Sequence, residues 1–299
     1  MNINSLINSP IEKYQFQNQT IFIKRDDLLN PHFSGNKARK FHYYLLKEFP
    51  SIKKIVSYGS NQSNAMYSLS VLSKIRGWEF EYYVDHLPQY LIENPHGNHK
   101  YALANGMRLI VGEPKPIKEQ IASSEVLFVE EGGRQESSAF GITQLAKEIH
   151  QWQQEQKIEE LNIFLPSGTG TTALYLQKAF VQFFDSQTTV YTTPCVGDVA
   201  YLKLQFSLLE SEEIYHPIII KPQKRYHFGK LYRESYNIWL KLQDEIGIEF
   251  DLLYDPVGWN TMMANSTIFS KPLLYIHQGG LIGNESMLLR YQRRYGENI

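Results

Sequence analysis

An α/β fold built on mostly parallel sheet is predicted by three observations. Short β-rich runs alternate with longer segments, those segments carry apolar residues at helical spacing, and several runs lead into turns of glycine and hydroxylic residues. The runs are Ile21 to Lys24, Lys54 to Tyr58, Phe80 to Val84, Arg108 to Val111, Val126 to Val129, Asn162 to Leu165, Thr189 to Thr192, Pro217 to Ile220 and Leu273 to Ile276. Helices are expected over Lys37 to Phe49, Asn64 to Arg76, Gly141 to Gln156, Thr171 to Phe184, Asp198 to Leu209 and Tyr232 to Ile246. Repeats and low-complexity segments are absent from the sequence. Topology rather than composition suggests a smaller lobe over 50–145, inserted between 1–49 and 146–299 of a larger one, with the site in the cleft beyond the strand carboxyl ends.

Composition narrows the function classes. The 299 residues are 42% hydrophobic and 20% charged, enough for a sizeable core. A net charge of -1 gives no basic surface for nucleic acid or an anionic membrane. The single cysteine, Cys195, excludes an internal disulfide and a cysteine-based zinc site. His96 and His99 lack a third ligand nearby, so no metal is expected. No apolar segment approaches the roughly 20 residues that span a bilayer, and the start lacks a basic stretch followed by an apolar run, which makes the cytoplasm the expected location.

Four turns concentrate the chemistry. Ser34-Gly35-Asn36-Lys37 delivers a lysine to the end of a strand-to-helix turn. A lysine amine becomes a nucleophile when burial or a neighbouring cation disfavours its ammonium form, and it then bonds a carbonyl reversibly. Tyr58-Gly59-Ser60-Asn61-Gln62-Ser63-Asn64 is a strand running into a polar turn. One such residue suffices as a helix N-cap, and the run as a whole offers donors for a carboxylate and a phenolic oxygen. Pro166-Ser167-Gly168-Thr169-Gly170-Thr171-Thr172 joins an apolar strand to a helix as a phosphate-binding loop does, or as a tight turn with a threonine cap would. It lacks the lysine of the triphosphate loop and the third glycine of the dinucleotide loop, which favours a small monophosphate. Ile276-His277-Gln278-Gly279-Gly280 is a strand ending in a Gly-Gly turn, its histidine either packed in the core or catalytic.

In this order the four segments resemble the fold-type II pyridoxal-phosphate (PLP) enzymes, in particular the family of 1-aminocyclopropane-1-carboxylate deaminase and D-cysteine desulfhydrase. Ile23 to Lys40 is similar to that family's KRDDL..P..SGNK.RK signature, 59–64 to GG.QSN, 168–172 to GSGGT and 277–281 to HTGGL. The resemblance implies two open, twisted, mostly parallel sheets flanked by helices, with larger and smaller lobes. It assigns Lys37 to the Schiff base with the cofactor, Asn64 to the phenolic oxygen, Ser63 to the ring and the substrate carboxylate, Gly168, Thr169, Gly170, Thr171 and Thr172 to the phosphate, and Gln278 to the pyridine nitrogen. It also implies a lyase or deaminase acting on a small amino acid, with ammonia and a 2-keto acid as products, and a homodimer.

The sequence departs from the family at Asp255-Pro256-Val257-Gly258-Trp259, which aligns with DPVYTGK or DPVYEGK. Gly258 replaces the active-site tyrosine and Trp259 the next residue, so an altered substrate wall is expected. A phenol is then expected from Tyr226 or from Tyr232, the residue assigned to catalysis. The alternative is a PLP-binding protein that has lost turnover and serves as a cofactor carrier or regulator.

Overall fold

The computed structural model describes residues 6–121, 123–184 and 187–296. The chain runs β1 Ile11–Phe16, β2 Gln19–Arg25, α1 Gly35–Leu46, β3 Lys54–Tyr58, α2 Asn64–Arg76, β4 Glu79–Val84, α3 Gln89–Glu93, α4 Gly97–Ala104, β5 Met107–Val111 and β6 Val126–Val129. It continues α5 Ser138–Gln156, β7 Glu160–Ser167, α6 Thr171–Phe183, β8 Gln187–Pro194, α7 Val199–Ser207, β9 Ile218–Ile219, α8 Arg233–Ile246, α9 Asp255–Ala264, β10 Leu273–His277 and α10 Gly283–Tyr295. Two sheets result, one ordered β1-β2-β10-β7-β8-β9 and one ordered β5-β4-β3-β6. Every pairing is parallel except β1 with β2.

The larger sheet is covered on both faces, and its side chains show this by strict alternation. Leu161, Ile163 and Leu165 of β7, with Leu274 and Ile276 of β10, pack against α5 and α6. Phe164, Leu273 and Tyr275 face the other way, into a core shared with α8, α9 and α10. The smaller sheet shares a third core with α1, α2 and α4.

Helix α1 couples the layers. Its apolar face, Ala38, Phe41, Tyr44 and Leu45, enters the core of the smaller sheet. Its opposite side is held by charge. Arg39 Nη2 donates to Asp26 Oδ1 at 2.8 Å, and Arg39 Nη1 donates to Glu148 Oε1 at 2.7 Å. Lys24 Nζ donates to Glu148 Oε2 at 2.8 Å. All four side chains are buried, and two cations meet two anions, so no charge is left uncompensated. The charged residues of the longest sequence signature thus fix β2, α1 and α5 together.

Packed elements run across both expected lobe boundaries. A boundary at 145/146 falls inside α5, a continuous helix that starts at Ser138. One at 49/50 divides α1 from the sheet whose core it fills. Strand β1 and helices α3, α4, α9 and α10 add to the expected elements. No described helix is long and apolar enough to cross a membrane.

Candidate active site

The four turns converge at the carboxyl ends of β2, β3, β7 and β10, where ligand sites of open α/β sheets lie. They line one cleft of about 240 Å³, which has room for one small ligand. The cleft brings together Lys37, Ser63, Asn64, Gly168, Thr169, Gly170, Thr171, Thr172 and Gln278. No group of three or more metal-ligating side chains occurs among the described residues.

Lys37 projects into the cleft from the first turn of α1, with Nζ 3.3 Å from Asn36 Oδ1. Burial lowers its amine to about 8, against the opposing pull of the Asp251 carboxylate. A second cleft lysine, Lys40, lies one turn further on and is also held well below the ordinary lysine range, by burial and then by Lys37. Its Nζ is tied to the Gly132 carbonyl at 3.0 Å, and its side chain is buried.

The 168–172 turn is shaped for an anion. Gly170 has φ +72°, and a Cβ there would lie 2.4 Å from Phe206, so the loop closes onto α7 only with glycine. Helix α6 begins at Thr171, and its first N–H groups point from the positive end of the helix. Thr172 Oγ1 is buried with no hydrogen-bond partner, an orphan that a phosphate oxygen would satisfy. These features fit the phosphate of the cofactor that the resemblance implies.

The remaining assigned residues are held more tightly than their sequence context shows. Ser63 Oγ caps α2, accepting from the Ala65 N–H at 3.1 Å. Asn64 Oδ1 accepts from Asn98 Nδ2 at 2.6 Å, and the Asn64 amide also hydrogen-bonds Asp251. Gln278 Nε2 donates to the Pro166 carbonyl at 2.7 Å, while its Oε1 accepts from Asn36 Nδ2 at 3.0 Å. His277 is a core histidine. It is fully buried, stacked on Phe250 at 4.6 Å and bonded to the Glu249 carbonyl at 2.8 Å.

The wall opposite Lys37 differs from expectation. Trp259 is fully buried, stacked on Tyr275 at 4.6 Å and edge-on to Phe16 and Phe250. Gly258 faces Pro166 and the Tyr275 hydroxyl inside α9, where any Cβ would meet atoms at 3.0–3.2 Å. Neither lines the cleft. Tyr232 is also outside it, its hydroxyl accepting the His227 N–H at 2.9 Å and its ring against Tyr226. Tyr226 lies outside too and hydrogen-bonds Asn260. The tyrosines that line the cleft are Tyr201 and Tyr254; Tyr254 lies beside Gly168 and is kept protonated by burial.

The cleft also holds side chains to which the sequence assigns no role, among them Lys40, Tyr201, Asp251 and Tyr254. Tyr254 and Asp255 adjoin the Pro256-Val257 landmark, a signal for the first. Asp251 has none, because a loop between α8 and α9 brings it to the site without periodicity or motif.

These features define the fold-type II pyridoxal-phosphate enzyme fold, with its two sheets and its cleft between four strand-end turns. Among solved structures, the chain is similar to an ACC deaminase homologue at TM-score 0.77 and 22% identity, over 97% of this chain and 94% of that one. It is also similar to a processed threonine deaminase isoform from Solanum lycopersicum, at TM-score 0.67 and 12% identity over 99% and 90%. A third is a pyridoxal 5'-phosphate-dependent aspartate racemase, at TM-score 0.62 and 13% identity over 91% and 90%. No family model matches the chain, and no curated protein matches it in sequence.

Proposed function

We propose that this protein is a PLP-dependent lyase or deaminase that converts a small amino acid to ammonia and a 2-keto acid. The observation that carries the reading is the pairing, in one cleft, of a half-buried lysine whose amine is lowered to about 8 with a helix-N-terminal turn holding an orphaned threonine hydroxyl. When bound, the cofactor would withdraw electrons from the bonds to the substrate's α-carbon.

The chain's own residues divide the work. Thr169, Thr171, Thr172 and the backbone of 168–172 hold the phosphate, and Asn64 takes the phenolic oxygen. Gln278 offers the pyridine nitrogen a neutral neighbour, which favours elimination or hydrolytic deamination over transamination. Lys37 Nζ, once released, accepts the proton from the α-carbon, a task suited to an amine near neutrality. Ser63, which lines the cleft, would hydrogen-bond the substrate carboxylate, and the Tyr254 hydroxyl can donate a proton to a departing thiolate or hydroxide. D-cysteine-type β-elimination and 1-aminocyclopropane-1-carboxylate-type ring opening are the two chemistries compatible with this set. Loss of turnover was suggested by Gly258 and Trp259, and both lie away from the cleft. We also propose a cytoplasmic homodimer of two-lobed subunits, the smaller lobe built around 50–145. Sedimentation tests the dimer.

The deciding experiment is a visible spectrum with added pyridoxal phosphate, borohydride reduction and mass mapping, followed by assay of ammonia and keto acid from D- and L-amino acids. Label on Lys37 with product from at least one substrate is expected. A colourless protein, or label on Lys40 instead, would sink the cofactor assignment. Labelled Lys37 with no turnover would leave a carrier.

A further inference from the structure

We propose that Asp251 is a positioning residue of this cleft: its buried carboxylate orients the Asn64 amide and is the anion that faces the Lys37 amine. Asp251 is only 3% exposed, although it sits in a loop. Its Oδ1 accepts the backbone N–H groups of Leu253 at 2.8 Å and Tyr254 at 2.6 Å, which locks the carboxylate in place. The other oxygen points at Gly280 and Asn64. A Cβ at Gly280 would lie 3.3 Å from Asp251 Oδ2 and 2.5 Å from Asn64 Nδ2, so a glycine at φ +87° leaves room for this pair.

A directed chain follows. Asn98 Nδ2 donates to Asn64 Oδ1, and the Asn64 NH₂ therefore faces Asp251. One of its two N–H groups is committed to the carboxylate, and the other is left for a ligand oxygen in the cleft. An amide flipped the other way would present an acceptor to that oxygen. Asp251 thus decides which end of Asn64 the ligand meets.

The charge on Lys37 depends on the same group. Lys37 shares the lining of the cleft with Lys40, Glu131, Tyr201, Tyr254 and Asp255. It also shares the lining of a second, smaller cavity with Asp27, His32 and Tyr67. Asp27 is neutralised by Arg25 at 2.7 Å, Glu131 is solvent-exposed, and Tyr67, Tyr201 and Tyr254 are held in their neutral forms by burial. Burial, and then Asp251, also pushes Asp255 well up toward its neutral form, and the buried Cys195 thiol shifts the same way. Asp251 itself is raised to about 6 by burial and stays ionised at neutral pH. It is therefore the carboxylate that stabilises the Lys37 ammonium.

The proposal rests on the proposed function only for the identity of the ligand oxygen. It is tested on the full-length protein without cofactor, by measuring the rate at which an amine-reactive acylating reagent labels Lys37 as a function of pH, read by mass spectrometry. Exposed Lys53 is the internal reference. In Asp251→Asn the Lys37 midpoint should fall, and labelling at pH 7 should rise about three- to tenfold while Lys53 is unchanged. Asp251→Ser, whose hydroxyl can still accept a loop N–H, replaces it if circular dichroism shows the first variant unfolded. An unchanged Lys37 midpoint in a folded variant overturns the proposal. With pyridoxal phosphate added, the variant should also bind about tenfold more weakly. A shifted Lys37 midpoint in a protein that takes up no pyridoxal phosphate would support the role of Asp251 and count against the cofactor reading alone.

Discussion

Gly35 lies so close to Gln278 that a Cβ on it would sit 1.7 Å from the Gln278 carbonyl oxygen, the same oxygen that accepts the Asn36 N–H at 3.1 Å. The turn that presents Lys37 is therefore moulded directly on the end of β10. Gly35→Ala should destabilise the protein by about 3 kcal/mol or more and abolish cofactor capture. Gly77→Ala is the comparison. Gly77 also has positive φ, at +70°, but nothing lies within 4 Å of its added Cβ, so its cost should stay near 1 kcal/mol. Urea unfolding of both variants checks this, and equal losses would refute the contact argument.

Sequence reading reached the parts of this molecule whose signal is local. Strands β3 and β6 and helix α2 end where apolar runs meet turn residues, and the structure keeps those limits. Strand β1, Ile11–Phe16, gives no clear sequence signal because it is a polar edge strand whose side chains are mostly exposed or half-buried. Helix α9 is buried nearly all round and so shows no helical stripe, whereas α10 buries Met287 and Tyr291 on one face but is otherwise strongly polar. The site divides in the same way. Lys37 and the 168–172 turn are legible because a short segment carries the whole feature, whereas Asp251 acquires its role only through folding. Trp259 faces the core and not the cleft, a difference that similarity along the chain does not show because it leaves open the side of α9 on which a residue falls.

Glu148 should be the most sensitive residue far from the cleft. Burial alone would raise its carboxyl, but Arg39 and Lys24 outweigh that and hold it at about 2. Glu148→Gln leaves two buried cations short of an anion and should cost roughly 3–5 kcal/mol near pH 7. The folded value lies below the ordinary 4.5, so the carboxylate's contribution is full above 4.5 and is lost as the pH falls from there toward 2. Unfolding free energies of the wild type should drop across that window, and those of Glu148→Gln should drop less steeply.

Tyr254 and Tyr232 can be separated by a single atom. Tyr254→Phe removes a protonated hydroxyl from the cleft and should lower kcat by about 10²–10⁴-fold if that hydroxyl protonates the leaving group. Tyr232→Phe removes only the acceptor of the His227 N–H and should leave kcat within about twofold. The opposite ranking would return the phenol's role to Tyr232.

Thr172→Val distinguishes an anion site from a simple capped turn. With nothing bound, replacing an unpartnered buried hydroxyl by a methyl group should be neutral or stabilising. With pyridoxal phosphate present, loss of a donor to a charged oxygen should weaken binding by about 1.5–3 kcal/mol, or roughly 10- to 150-fold. Equal affinity in the two proteins would leave the phosphate elsewhere.

Cofactor capture should follow the free amine of Lys37. Burial sets that amine at about 8, below the ordinary 10.5, so its unprotonated fraction rises from about a tenth at pH 7 to about nine-tenths at pH 9. The capture rate, followed by stopped-flow absorbance, should climb almost tenfold across that interval and then level off. The folding linkage has a defined sign. Between about 8 and 10.5 the unfolded chain holds the proton that the folded chain has released, so this group makes the fold more stable as pH rises through that window. Lys37→Met removes the burial cost of the ammonium and should be more stable than wild type near pH 7 while losing all borohydride-fixed cofactor. A capture rate that goes on rising to pH 10.5 would mean that Lys37 is solvated like any surface lysine, and the cleft would then lack the low dielectric on which its chemistry depends.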